Sequence, residues 1–162
     1  MGYITGRIGG LFSGYNIQAF VENNTIRGRA GGVLDGNDMQ ITFNNGIITG
    51  RFGGLVSGLT PNCILEGNRL HGRIGGDIVG NDILLDLIGD EIRGRYGGDI
   101  IGFDCNLNYF IDSGELKGRL GGDLIGFDVD LKISEVSPLI AAMIACVEYD
   151  IYREKHENEY RK

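Results

Sequence analysis

A five-residue pattern, Gly-Arg-x-Gly-Gly, recurs six times along the chain, with copies that start at Gly6, Gly28, Gly50, Gly72, Gly94 and Gly118. Successive copies are 22 residues apart, except that the last interval is 24. A fixed period of this size predicts repeated supersecondary units. Phosphate-binding loops and calcium-binding repeats fit poorly, because the former precede a helix and the latter recur at a much shorter period.

Two turn signals divide each unit into two strands. The first signal is a pair of residues that tolerate positive φ, at Asn23-Asn24, Asn45-Gly46, Gly67-Asn68, Gly89-Asp90 and Ser113-Gly114. The residues two positions outward are apolar on both sides in every copy, from Val21 and Ile26 to Ile111 and Leu116, as expected of hairpins with one buried face.

The second turn signal begins with glycine. It occurs at Gly14-Tyr15, Gly36-Asn37, Gly58-Leu59, Gly80-Asn81, Gly102-Phe103 and Gly126-Phe127, and it fits a two-residue type II′ hairpin. Together the two signals predict one strand of about 11 residues and one of about 7 in each unit. The inner face of the longer strand would then alternate apolar residues with glycine. The fourth copy reads Leu70, Gly72, Ile74, Gly76, Ile78, and the sixth reads Leu116, Gly118, Leu120, Gly122, Leu124. Glycine in a strand marks a sharp bend or the close approach of other backbone.

The C-terminal segment predicts a buried helix. Ser137 and Pro138 are a favourable N-cap and first helical residue, and residues 139–147 are apolar on all sides. The fold class we expect is mainly β. It is a twelve-stranded antiparallel up-and-down barrel of six 22-residue units that encloses this helix, because closure removes exposed strand edges. A single domain would span 1–162, with the strands in 3–134 and the helix and its polar tail in 137–158.

The alternative fold is a parallel β-helix with about 22 residues per coil, capped by the apolar helix. It would stack the repeated arginines at the spacing of neighbouring strands, where like charges repel.

The layout of twelve strands around a C-terminal apolar helix resembles the tubby-like superfamily, which includes LURP-one-related proteins and phospholipid scramblases. Some of its members bind phosphoinositides through basic residues. The resemblance therefore implies an anionic lipid or phosphate ligand, although no individual site residue can be carried over.

Charge and cysteine content narrow the functional classes. The net charge of −7 disfavours nucleic acid as a partner. Cys63, Cys105 and Cys146 are widely spaced and read as small buried residues, so we expect a reducing, cytoplasmic location. The longest apolar run, residues 138–147, is too short to span a membrane, so no transmembrane span is expected.

The repeated arginines are the candidate ligand-binding residues, because they should form an outward-facing ring that could bind an anion. They are Arg7, Arg29, Arg51, Arg73, Arg95 and Arg119. In the simpler interpretation they pair with neighbouring aspartates such as Asp38, Asp82, Asp104 and Asp128.

No catalytic constellation, metal site or cofactor site is expected, because His71 and His156 are isolated from other candidate ligands. The sequence therefore predicts a non-enzymatic structural or protein-interaction module with an unknown protein partner. The alternative function is a barrel that binds a lipid or phosphate ligand, with the C-terminal helix as a plug or membrane-responsive element.

Overall fold

The computed structural model describes residues 1–54, 57–75 and 80–160, which form twelve strands followed by one helix. In chain order these are β1 (Gly2–Gly9), β2 (Gly14–Glu22), β3 (Thr25–Ala30), β4 (Asn37–Asn44), β5 (Ile47–Gly53), β6 (Gly58–Glu66), β7 (Arg69–Gly75), β8 (Gly80–Ile88), β9 (Glu91–Tyr96), β10 (Phe103–Phe110), β11 (Glu115–Gly121), β12 (Gly126–Ser134) and α1 (Pro138–Tyr160).

The strands form one closed antiparallel barrel in which each strand pairs with its neighbours in the chain, and β1 closes the ring by pairing with β12. The predicted barrel is thus confirmed, and the alternative of a parallel β-helix is wrong. Two-residue turns explain the outcome, because they can only join antiparallel neighbours. Asn23, Asn24 and Asn45 have positive φ angles of 50° to 60°, as these turns require.

The helix α1 fills the barrel. Its residues from Leu139 to Val147 are at most 2% exposed, and they pack in one core with inward residues of the strands. The helix begins where Ser137 Oγ accepts a hydrogen bond from the backbone N–H of Leu139 at 3.2 Å. A helix that is apolar on every face is stable in water only when it is surrounded, which the barrel accomplishes.

The first glycine of each repeat lies close against the backbone of the neighbouring strand. Four of these glycines, Gly6, Gly50, Gly72 and Gly118, have φ angles from 145° to 156°. A Cβ at any of them would overlap backbone atoms of the neighbouring strand. Of the two predicted reasons for inward glycine, the close approach of other backbone is therefore the one found here, and that backbone belongs to the adjacent strand and not to the helix.

The second turn of each unit is wider than predicted. Strand pairing ends at Gly9 opposite Gly14, and likewise at Gly121 opposite Gly126, so four residues connect these strands. The residues of the predicted Gly-x turns belong instead to the following strand or border it. The strands that begin the Gly-Arg-x-Gly-Gly pattern have 6 to 8 residues and the others 8 or 9, so the predicted difference in length is reversed.

Residues predicted to face inward beyond these strand ends are therefore in loops. They are Gly10, Phe12, Gly32, Leu34, Gly54, Gly98, Ile100, Gly122 and Leu124, whereas Gly76 and Ile78 lie outside the described residues. The error arises because the alternation of apolar residues and glycine continues in the sequence past the Gly-Gly pair, although the strand ends there. Gly31, Gly53, Gly97 and Gly121, the first glycines of these pairs, have φ angles of 84° to 92° and turn the chain out of the sheet.

The 24-residue interval is accommodated in the fifth hairpin. The predicted pairing of Ile111 with Leu116 is wrong, because Tyr109 lies opposite Leu116 and Ile111 is 78% exposed. The turn spans four residues, and the N–H of Gly114 donates to the carbonyl of Phe110 at 2.8 Å. The corresponding apolar pairs of the other four hairpins have the predicted register.

Candidate functional site

The two ends of the barrel differ in chemistry. One end, which we call the turn end, carries the tight turns and the entry of the helix after Ser134. The other, the loop end, carries the wider connections and the exit of the helix, where Arg153 donates to the carbonyl of Ile101 and Lys155 to that of Asp35. Among the described residues, the loop end carries eight of the sixteen exposed large apolar side chains, and these eight are the most exposed of them.

Large apolar side chains project from the loop end into solvent. Each of four described loops carries two consecutive ones, which are 81% to 99% exposed: Leu11 and Phe12, Val33 and Leu34, Ile100 and Ile101, and Leu124 and Ile125. We call these eight residues the apolar tips. Sequence reasoning missed them by assigning one member of each pair to the core. The signal that could have found them is the consecutive placement of two large apolar residues, which interrupts the alternation of a half-buried strand.

The backbone of these loops is held by its own hydrogen bonds. The N–H groups of Gly10 and Gly122 each donate at 2.8 Å to the carbonyl three residues later, and Gly36 N–H donates to the carbonyl of Gly32 at 3.0 Å. These backbone hydrogen bonds form without any contribution from the tip side chains. The tip side chains therefore do not stabilise the loops and extend from them into solvent.

The six arginines lie on the outer wall just below the tips. Each guanidinium donates to a backbone carbonyl between its own strand and the start of the next, from Arg51 Nη2 to Gly54 at 2.8 Å up to Arg73 Nη2 to Gly80 at 3.3 Å. The glycine pair leaves carbonyl groups without a partner in a neighbouring strand, and the repeated arginine donates hydrogen bonds to them. This explains why the arginine and the glycine pair recur together.

Four of the arginines form the ion pairs with aspartate that the sequence indicated. These are Arg29–Asp38 at 2.7 Å, Arg95–Asp104 at 2.8 Å, Arg119–Asp128 at 2.9 Å and Arg73–Asp82 at 3.0 Å. In the other two repeats the position of this aspartate is held by Asn16 and Thr60. Asn16 lies opposite Arg7, and Thr60 Oγ1 accepts a hydrogen bond from Arg51 at 2.9 Å. Binding of a phosphate-bearing ligand by this ring stays a prediction.

Polar groups fix the helix where it leaves the barrel. Glu148 is 2% exposed, and its Oε1 accepts a hydrogen bond from Asn37 Nδ2 at 2.9 Å. Burial raises the pKa of Glu148 to about 8, although the hydrogen bond from Asn37 and the charge of Lys155 oppose the rise. Asp150, two residues later, accepts from the hydroxyl of Tyr96 at 2.7 Å.

An aromatic collar surrounds the same part of the helix. Tyr149 lies edge-on to Phe103 with ring centroids 4.8 Å apart, and Tyr152 lies 5.1 Å from both Tyr15 and Phe127. The hydroxyl of Tyr15 is buried and finds no hydrogen-bond partner within the described residues. These contacts close the barrel around the helix with side chains from several strands, so the exit is packed on more than one side.

A cavity of about 580 Å³ opens at this mouth, between the first two wide loops and the helix. Arg7, Tyr15, Glu148, Lys155 and His156 are among its lining residues. The lining therefore mixes carboxylate, amine, imidazole and phenol groups.

Other candidate chemistry is sparse in the part of the chain described. No three histidine, cysteine, aspartate or glutamate side chains cluster there as a metal site would require. Cys63, Cys105 and Cys146 are buried free thiols, as predicted. The one described helix lacks the length of apolar sequence needed to traverse a bilayer.

No protein-family model, curated protein or solved structure matches this chain. The resemblance to the tubby-like superfamily therefore rests on the layout of strands and helix, and it stays a prediction.

Proposed function

We propose that the chain is a non-enzymatic interaction module that contacts its partner with the loop end of the barrel. The observation that carries this proposal is the set of apolar tips, which are exposed together at one end of the molecule. Apolar surface gathered in one region of a protein typically marks a place of contact with another molecule. The six-fold repetition supplies many similar contacts around one rim, which suits binding better than catalysis at a single asymmetric centre.

The helix acts in this proposal as a permanent part of the core. Withdrawal would expose the apolar residues 139–147 and would break the contacts of Glu148 with Asn37 and of Asp150 with Tyr96. The alternative of an internal lipid cavity, opened by a mobile plug, would have to offset all of these losses. We therefore place the binding surface on the outside. We also propose a reducing compartment, since all three thiols are buried and unpaired.

Site-specific photocrosslinking in the native cells tests the location of the binding surface. A benzophenone amino acid would replace Phe12, which is 99% exposed at the loop end, or Phe20, which is 51% exposed on the barrel wall and serves as the control. We expect discrete adducts from position 12 and none from position 20. Equal adduct patterns at the two positions would contradict a dedicated binding surface at the loop end, whatever the partner is.

A further inference from the structure

The apolar tips form four separate pairs of exposed side chains and not one continuous apolar patch. Each pair of tip residues stands on its own hairpin, and neighbouring pairs are separated by the glycines and polar residues that flank the loops. A folded protein partner would need a separate pocket for every pair. A fluid apolar phase accepts all of them at any spacing.

The identities of the tip residues vary while their hydrophobicity does not. The four described pairs are Leu-Phe, Val-Leu, Ile-Ile and Leu-Ile, and the corresponding positions 55–56 and 78–79 of the sequence are Leu-Val and Ile-Val. Shape-complementary protein surfaces distinguish among β-branched, γ-branched and aromatic side chains, because their cores pack as closely as protein interiors. Hydrocarbon chains of a lipid make no such distinction, so this substitution pattern favours lipid as the occupant.

The chemistry of the loop end is layered along the barrel axis. The apolar tips are the most exposed large apolar side chains, and the arginine guanidinium groups bond to backbone carbonyls at the base of the same loops. The strand wall behind those carries exposed polar residues such as Gln18, Gln40 and Thr42. A bilayer surface presents the same sequence of environments, from hydrocarbon through polar headgroups to water.

The charge of the protein indicates which kind of membrane surface it could bind. Four of the six arginines are already paired with aspartate, and the chain carries a net charge of −7. Attraction to an anionic surface would therefore contribute little, and insertion of apolar side chains must supply the binding.

Resting on the proposed function, we propose that the occupant of the loop end is the interfacial layer of a neutral phospholipid bilayer, into which the apolar tips insert. The barrel then stands on the membrane by its loop end, with the arginines at the depth of the headgroups and the helix still enclosed. The partner is a lipid surface, and the module needs neither a lipid extracted into the barrel nor an anionic headgroup.

Flotation with phosphatidylcholine vesicles tests this inference on the full chain. The tip variant would combine Phe12→Ser, Leu34→Ser, Ile100→Ser and Leu124→Ser, one change in each described loop. The control variant would combine Phe20→Ser and Ile88→Ser, which are exposed on the wall away from the loop end. All six positions are exposed, so we expect both variants to fold, and circular dichroism and thermal melting would verify it.

We expect the wild-type chain and the control variant to float, and the tip variant to partition at least about tenfold less. Addition of phosphatidylserine to the vesicles should change binding little. Equal flotation of the tip variant and wild type would overturn the inference, as would binding that requires the anionic lipid.

A fluorescent probe gives a second, independent measurement, because the sequence contains no tryptophan. Phe12→Trp should show a blue-shifted emission with vesicles that brominated lipid quenches, whereas Phe20→Trp should show neither. Unchanged emission at position 12 in the presence of vesicles would also overturn the inference.

The outcomes separate this inference from the proposed function. If the wild-type chain never floats but still crosslinks a protein through position 12, the loop end is a protein-binding surface and the lipid inference is wrong. If the wild-type chain is a dimer that the tip variant converts to a monomer, the occupant is a second copy of the chain and the lipid inference is again wrong. If position 12 yields no adducts at all, the proposed function fails as well.

Discussion

Replacing Glu148 with glutamine tests whether its carboxyl group is shielded from water at the exit of the helix. The carboxyl group is 2% exposed in the folded chain, and burial raises its pKa from the usual 4.5 to about 8. In the unfolded chain it titrates at the usual value. Between these two pH values the folded protein holds a proton that the unfolded chain releases, so the contribution of Glu148 to the free energy of unfolding falls as pH rises. It is fully present below pH 4.5 and is lost once pH exceeds 8.

The size of the effect follows from the same two values. Their difference corresponds to about 5 kcal/mol of unfolding free energy, and entry of water around an ionised carboxylate would reduce this figure. Glutamine cannot ionise, and its side-chain carbonyl can still accept the hydrogen bond from Asn37. We therefore expect Glu148→Gln to be more stable than the wild type by about 2–5 kcal/mol above pH 8, and to match it within about 1 kcal/mol at pH 4.5.

Urea denaturation of both proteins across this pH range measures the difference, and comparison at each pH cancels the titration of the other carboxylates. Glu154→Gln is the matched control for loss of one carboxylate from the same helix, because Glu154 is exposed and its replacement should change the free energy of unfolding little. If the difference between wild type and Glu148→Gln were the same at every pH, the carboxyl would be solvated, and its burial at the helix exit would be contradicted.

Three further predictions address the barrel. Gly118→Ala should lower the melting temperature strongly, because φ is 156° and the new Cβ would overlap backbone of the adjacent strand, whereas a Cβ at Gly98 meets nothing within 4 Å; similar melting of Gly118→Ala and Gly98→Ala would contradict this close approach. Ala142→Asp should prevent stable folding, since an unpaired charge at a fully buried position costs about 3–5 kcal/mol, and a soluble variant with normal melting would show that the helix is not enclosed. Asp104→Asn should cost less than about 1 kcal/mol in urea denaturation, because the pair with Arg95 is exposed, and a larger loss would assign the ion pairs a structural role that their exposure does not support.

Local chemistry was sufficient to predict the tight turns and the plug. Asn23-Asn24 and Asn45-Gly46 accept positive φ wherever they occur, and the apolar residues on either side can share a face only in an antiparallel hairpin. The uniformly apolar residues 139–147 require burial on all sides, which a barrel of this strand number provides. The pairing of arginines with Asp38, Asp82, Asp104 and Asp128 also followed from sequence, because cross-strand neighbours are set once the turns are known.

The candidate site could not be predicted in the same way. Phe12, Leu34 and Leu124 continue the alternation of the strands before them, so a pattern of period two places them inside the barrel. Sequence alone also does not indicate that Glu148 is buried, because it is the first charged residue after the apolar run and would ordinarily be solvated.

The length of the apolar part of the helix explains why turns and helix burial were predictable and the exposure of the tips was not. Nine apolar residues cover about 13 Å of helix axis, and the barrel wall needs inward apolar residues only over the height that this segment fills. Beyond Val147, Tyr149 and Tyr152 of the helix pack against Tyr15, Phe103 and Phe127. The apolar residues that follow each glycine pair are not part of this packing and are exposed. Turn chemistry and helix burial were thus properties of short segments of the chain. The exposure of the tips depends on the tertiary structure, because it results from packing of the closed barrel around a helix whose apolar part is short.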